Sequence, residues 1–163
     1  MNSKPIIVIV LIISAILLAG RISPAMSSEQ YSAGKYIHID NIIMEFNRVN
    51  STVDVEYHLA PFTKAYIFFF GSKNLEPKIK EIFSEFPEVK IQKIGFNSAT
   101  LQITNISSKN GQDYMHESTK LGLRPDILTI VYPYNQGTRE IKNPDSTLSV
   151  FYPVHPENQN NTT

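Results

Sequence analysis

The sequence predicts an α+β domain: an antiparallel sheet of about six or seven strands built from hairpins, with two or three helices, behind an N-terminal signal or anchor helix. Three observations carry this. An apolar run from Ile6 to Leu18 follows Lys4 and ends in Ala19-Gly20-Arg21. Thr52, Asp54, Glu56 and His58 alternate with Val53, Val55, Tyr57 and Leu59, the period of a half-buried strand. Leu75, Ile79, Ile82, Phe83 and Phe86 recur at helical spacing, with Lys78, Lys80, Glu81 and Glu85 on the other face.

The first 27 residues have the layout of a secretory signal, with a positive start, an apolar stretch of about 15 residues and small residues after it. At about 1.5 Å per residue that stretch covers roughly 22 Å of a hydrocarbon core about 30 Å thick. A spanning helix must therefore continue through Arg21 to Pro24. Cleavage after Ala25 or Ser27 and retention as a membrane anchor both remain open. Position 21 is Arg, not Cys, which excludes lipid attachment there.

Tyr36 to Val49 and Thr52 to Leu59 read as two strands around a turn at Asn50-Ser51. Ile37 and Ile39 fall on the opposite parity from Ile42, Met44 and Phe46, so the phase must change near Asp40-Asn41, at a bulge or a break. A loop at Asn50-Ser51 would set Glu45 opposite Glu56, an unfavourable pairing that calls for another register or an intervening cation.

The aromatic content of Pro61 to Phe70 suits a strand, whereas Pro61 at a first-turn position and the apolar spacing fit a buried helix stopped by Gly71-Ser72, the reading favoured here. A second helix follows to Pro87. Val89 to Ile94 and Ala99 to Ile106 form another hairpin, Ser107 to Asp113 a loop, and Tyr114 to Leu121 a short helix stopped by Gly122. Asp126 to Tyr134 is apolar on both faces and so belongs in the middle of the sheet, paired through Asn135-Gln136-Gly137 with Thr138 to Lys142. Thr147 to Tyr152 adds an edge strand. The domain thus spans residues 28–152, and the Pro, Asn and Thr content of 153–163 predicts a disordered tail.

Without residues 1 to 27, which hold Lys4 and Arg21 and no acid, 13 basic residues face 15 acids. That balance gives no electrostatic case for nucleic acid. The chain has no cysteine, which excludes disulfides and thiolate metal sites, and no tryptophan; nine Phe and eight Tyr supply the bulk.

The stretch Phe70-Gly71-Ser72-Lys73-Asn74-Leu75-Glu76-Pro77-Lys78-Ile79, with Tyr114, His116 and Thr129-Ile130-Val131-Tyr132-Pro133 downstream, resembles small exported proteins of methanogenic archaea of uncharacterised function. The likeness covers about residues 36 to 152. It implies an extracytoplasmic α+β domain and carries over no catalytic residue.

Imidazoles and carboxylates concentrate on the first hairpin. His38, Asp40, Glu56 and His58 offer the mixture that a divalent cation takes, although alternation on any exposed strand face produces the same spacing. His116-Glu117 offers an acid/base pair, against which stands a plain surface histidine. Gly71-Ser72-Lys73 before a helix hints at anion binding, but the order and glycine content of a phosphate loop are absent. Neither Gly-x-Ser-x-Gly nor His-Glu-x-x-His occurs, and nothing calls for a cofactor. Asn50, Asn105, Asn160 and Asn161 head N-glycosylation patterns.

These features favour an extracytoplasmic binding or structural module of the cell surface, secreted or membrane-anchored. It would touch the membrane through an uncleaved N-terminal segment and bind an envelope protein or a glycan. The alternatives are a small secreted hydrolase or metal-dependent enzyme centred on the first hairpin, and an anchored ligand-sensing domain.

Overall fold

The computed structural model describes residues 36–154. The signal or anchor expected over residues 1–27, and Asn160 and Asn161, lie outside the described residues. Among the described residues no helix is long and apolar enough to cross a membrane.

The chain is α+β and mostly strand. β1 (Ile37–Asn47) and β2 (Asn50–Leu59) form a long hairpin, followed by α1 (Pro61–Phe70), a 3-10 turn (Ser72–Leu75) and α2 (Glu76–Ile82). Then come β3 (Glu88–Ile94), β4 (Ser98–Thr104), β5 (Ser108–Asn110), β6 (Asp113–His116), β7 (Ile127–Val131), β8 (Thr138–Lys142) and β9 (Val150–Pro153). The main sheet has six strands in the order β3-β4-β2-β1-β7-β8, and β5-β6-β9 make a separate three-stranded sheet. β1 and β7 run parallel, so the main sheet is mixed, not wholly antiparallel as expected. The long excursion through β2, the helices and β3 to β6 lets β7 return to the free edge of β1 in the same direction.

The hairpin turn is Arg48-Val49, two residues earlier than the expected Asn50-Ser51, with Asn47 opposite Asn50 and Arg48 at φ +54°. This register sets Glu45 opposite Thr52 and Asn41 opposite Glu56, which removes the like-charge pairing. The phase change in β1 is a bulge between Ile39 and Asn41 that leaves Asp40 out of the ladder.

Alternation then divides the two faces of the sheet. Ile42, Met44, Val53, Val55, Leu101, Ile103, Leu128 and Ile130 are fully buried and share one apolar cluster with Ile79, Ile82, Phe83 and Phe86 of the α2 region. Phe46, near the end of β1, stacks on Tyr152 of β9 and His116 of β6, with ring centroids 5.5 and 5.1 Å apart, tying the small sheet to the same core. The opposite face of β1 and β2, with His38, Glu45, Asp54, Glu56 and His58, is exposed.

Three further expectations need correction. Tyr114 to Leu121 is not a helix: Tyr114 and His116 point inward from β6, which pairs with both β5 and β9. Gly122 instead allows a close backbone approach to α2, for a Cβ there would lie 2.1 Å from the Glu81 carbonyl oxygen. The loop over Ser107 to Asp113 is a small β5–β6 hairpin turning at Gly111, φ +64°. Pro153 belongs to β9 opposite Asp113, and the Val154 N–H donates to the Gln112 carbonyl, so the ordered chain runs past the expected start of the tail.

α1 is helical as expected but is not buried. Pro61 starts it, and at its end the Gly71 N–H donates to the Ile67 carbonyl while the Asn74 amide donates to the Phe70 carbonyl. Ile67 is its one buried residue.

Candidate metal centre

The open face of the first hairpin gathers four ionisable side chains at the end away from the turn. His38 and His58 stand directly opposite each other on β1 and β2, with ring centroids 4.7 Å apart. Asp40 follows His38 by two residues, and the bulge turns it between the imidazoles. Its Oδ1 lies 2.7 Å from His58 Nδ1 and 3.9 Å from His38 Nε2.

The fourth side chain comes from far along the sequence. The Asp126 N–H, just before β7, donates to the Ile39 carbonyl, and the Asp126 carbonyl accepts from Asn143. These two backbone bonds fix Asp126 against the bulge. Its Oδ2 lies 2.9 Å from His38 Nε2. With side-chain exposures of 44% for His38, 42% for Asp40, 66% for His58 and 54% for Asp126, the group opens to solvent.

One ligand atom from each of His38, Asp40 and His58 can be chosen so that all lie within 4.8 Å of one another. Zinc holds imidazole nitrogen and carboxylate oxygen at about 2.0–2.2 Å, which places ligand atoms around a tetrahedral ion roughly 3.4 Å apart. The contacts of 2.7 and 3.9 Å bracket that spacing. Changes of about 0.5–0.7 Å in these two contacts, within reach of side-chain rotation at an open site, would bring them to that spacing. Two imidazoles and a carboxylate, with Asp126 as a fourth oxygen donor or an orienting partner for His38, suit a borderline transition-metal ion better than calcium or magnesium.

Of the four residues the sequence proposed, the fold brings together His38, Asp40 and His58. Glu56 is on the same face but opposite Asn41 and Ser98, and makes none of these contacts. Asp54 accepts a hydrogen bond from Thr100 at 2.6 Å. Sequence reasoning missed Asp126, 88 residues from His38. The available signal was an acid at the mouth of a central apolar strand, where a neighbouring strand can use it.

The other sequence candidates have structural roles. His116 is buried, not a surface residue: its Nδ1–H donates to the Ile106 carbonyl and its Nε2 accepts from the Thr147 hydroxyl, the neutral tautomer that satisfies both partners. Burial holds its pKa below the usual imidazole value, against the opposing pull of the Ile106 carbonyl and Glu117. Ser72 donates to the Ile94 carbonyl, tying the turn after α1 to β3. At the turn end of the first hairpin, Asn50 Oδ1 accepts the Asn105 N–H, while Asn105 is itself exposed at φ +57°. Residues Asn47 to Thr52 with Gln102 line an open cleft of about 490 Å³ there.

No protein-family model, curated protein or solved structure matches this chain.

Proposed function

We propose that this chain is an extracytoplasmic binding module of the cell surface, and that its open sheet face binds a divalent transition-metal ion through His38, Asp40 and His58 with Asp126 beside them. The observation that carries the reading is convergence. A β-bulge and a parallel strand, two departures from a regular hairpin sheet, each deliver one carboxylate to a cross-strand imidazole pair. The apolar run Ile6 to Leu18 and the resemblance to small exported archaeal proteins support the location outside the cytoplasm. The exposure of the group supports binding over catalysis, since an enclosed and water-poor site is what strengthens catalytic electrostatics. The hydrolase alternative draws on the same cluster, whose solvent side leaves coordination positions for water and substrate.

Calorimetric titration of the purified full chain with zinc is the test. The expected result is one ion per chain, with affinity reduced about 100-fold or more in His58→Ala and in His38→Ala and unchanged in Glu56→Gln. Equal affinity in wild type and His58→Ala would overturn the reading. Zinc-dependent ester or phosphoester turnover lost in the same variants would move it to the hydrolase.

A further inference from the structure

We propose that the aromatic face of α1, extended by Phe96, lies in the interfacial layer of the lipid bilayer that receives the chain's N-terminal apolar segment. The inference depends on the membrane-linked location proposed above and is independent of the cation centre.

The helix presents far more apolar surface than the fold uses. Phe62, Phe68, Phe69 and Phe70 are 73%, 73%, 77% and 67% exposed, and Tyr66 is 42% exposed. At 100° per residue Phe62, Tyr66, Phe68 and Phe69 fall about 100–160° from Ile67, on the far side of the helix, and Phe70 lies about 60° from it, next to Tyr66. The patch crosses to a second element, because the Phe68 and Phe96 ring centroids are 6.5 Å apart and Phe96 sits in the β3–β4 turn. Within it Tyr66 stacks on Phe70 at 4.7 Å and Phe68 meets Phe69 edge-on at 5.5 Å. Contiguous exposed aromatics on one surface mark a contact site, since apolar area left in water forfeits about 25 cal/mol for each Å².

Two observations choose a bilayer as the occupant. First, the Ala60 N–H donates to the Tyr36 carbonyl at 3.0 Å, so the chain N-terminal to Tyr36 joins the described fold at the foot of α1. That chain contains the apolar run ending at Leu18, and the 17 residues from Ala19 to Lys35 reach at most roughly 60 Å when fully extended. A bilayer holding that run keeps α1 at high effective concentration beside it. Second, α1 has the composition of a helix lying in the membrane interface, with Phe and Tyr outward, Lys64 at the flank and no acid to repel anionic headgroups.

The chain has no tryptophan, so Phe69→Trp introduces a single indole reporter, and Phe151→Trp, at an exposed position on β9, supplies a control. Each full-length variant is reconstituted with phosphatidylcholine vesicles carrying brominated acyl chains. The expected outcome is a blue-shifted Phe69→Trp emission, quenched by brominated lipid several-fold more than that of Phe151→Trp, with acrylamide accessibility reduced in parallel. Vesicle-bound chain showing equal quenching at the two positions would overturn the proposal while leaving an N-terminal anchor standing. Chain that does not float with the vesicles would overturn both. A blue shift that needs no lipid and grows with protein concentration would assign the patch to a second copy, and so also overturn it.

Discussion

Asp40 owes its position between two imidazoles to a single extra residue in β1, and that makes its chemistry separable from the fold. The bulge takes it out of the ladder, so no backbone pairing depends on its side chain. Its side chain is 42% exposed, and ion pairs open to solvent contribute about 0–1 kcal/mol. Asp40→Asn, which keeps the shape and removes the charge, is therefore expected to weaken zinc binding about 10- to 100-fold while moving the chemical-denaturation midpoint by little. Parallel titration and urea melts read both quantities, and a large loss of stability with intact zinc binding would contradict the assignment. Gly122 is the converse, a residue whose whole role is space. A methyl group there meets the Glu81 carbonyl at 2.1 Å, and the Gly122 N–H donates to the Ile82 carbonyl, so backbone must move against backbone. Gly122→Ala is expected to destabilise the chain by about 1–3 kcal/mol in urea melts, the usual cost of overpacking, without touching the candidate metal site.

At the scale of elements, α1 reverses the usual relation between hydrophobicity and burial. Ile67→Ala, at the one buried position, is expected to cost about 2–5 kcal/mol, whereas Phe69→Ser should stay within about 0.5 kcal/mol of wild type because the ring has little to lose in the folded monomer. Thermal or urea melts of the two variants compare them directly, and a large cost at Phe69 would mean that the ring is packed. The same helix shows what a sequence discloses. Pro61, the apolar spacing and Gly71 locate it, but periodicity cannot say whether an element that is apolar all round faces a core or another phase. The β1 phase change was legible from the parity of Ile37 and Ile39 against Ile42, Met44 and Phe46, and the bulge lies there. The hairpin turn was not, because Arg48-Val49 has no turn-forming composition and Asn50-Ser51 does; β1 pairing and the buried Ser51 outweigh that local preference. Tyr114 to Leu121 was misread for a related reason: four strand residues with two inward side chains are too short for period 2 to declare itself, and pairing with β5 and β9 comes from elsewhere in the chain. His38, Asp40 and His58 were legible because one hairpin carries them, whereas Asp126 depends on a parallel pairing that no local pattern encodes.

Over the whole molecule, the main sheet and the small sheet are held together by a few buried polar groups set among aromatics, and His116 gives that junction a pH dependence. Its ring stacks 5.1 Å from Phe46 of the main sheet, its Nδ1–H bonds the Ile106 carbonyl between β4 and β5, and its Nε2 takes the hydroxyl of Thr147, the residue that also accepts the Thr119 N–H. Tyr152 completes the joint by donating to the Arg48 carbonyl and sharing a 2.7 Å bond with Ser107, and burial raises its pKa, which keeps the phenol neutral. Since burial lowers the His116 pKa, the unfolded chain binds a proton on this residue where the folded chain does not. The stability it confers is complete above the ordinary imidazole pKa of about 6.5 and declines as pH falls from there toward the folded value, by at most about 1.4 kcal/mol per pH unit. Glu117 opposes the shift and so narrows the window without changing its sign. His116→Gln removes the titration along with the ring, so the stability gap between wild type and variant, measured by urea melts, should be widest near pH 7.5 and shrink toward pH 5. A gap that stays constant over that range would mean that His116 keeps the same charge in the folded and unfolded chains, and the neutral tautomer assigned from its two partners would then be wrong.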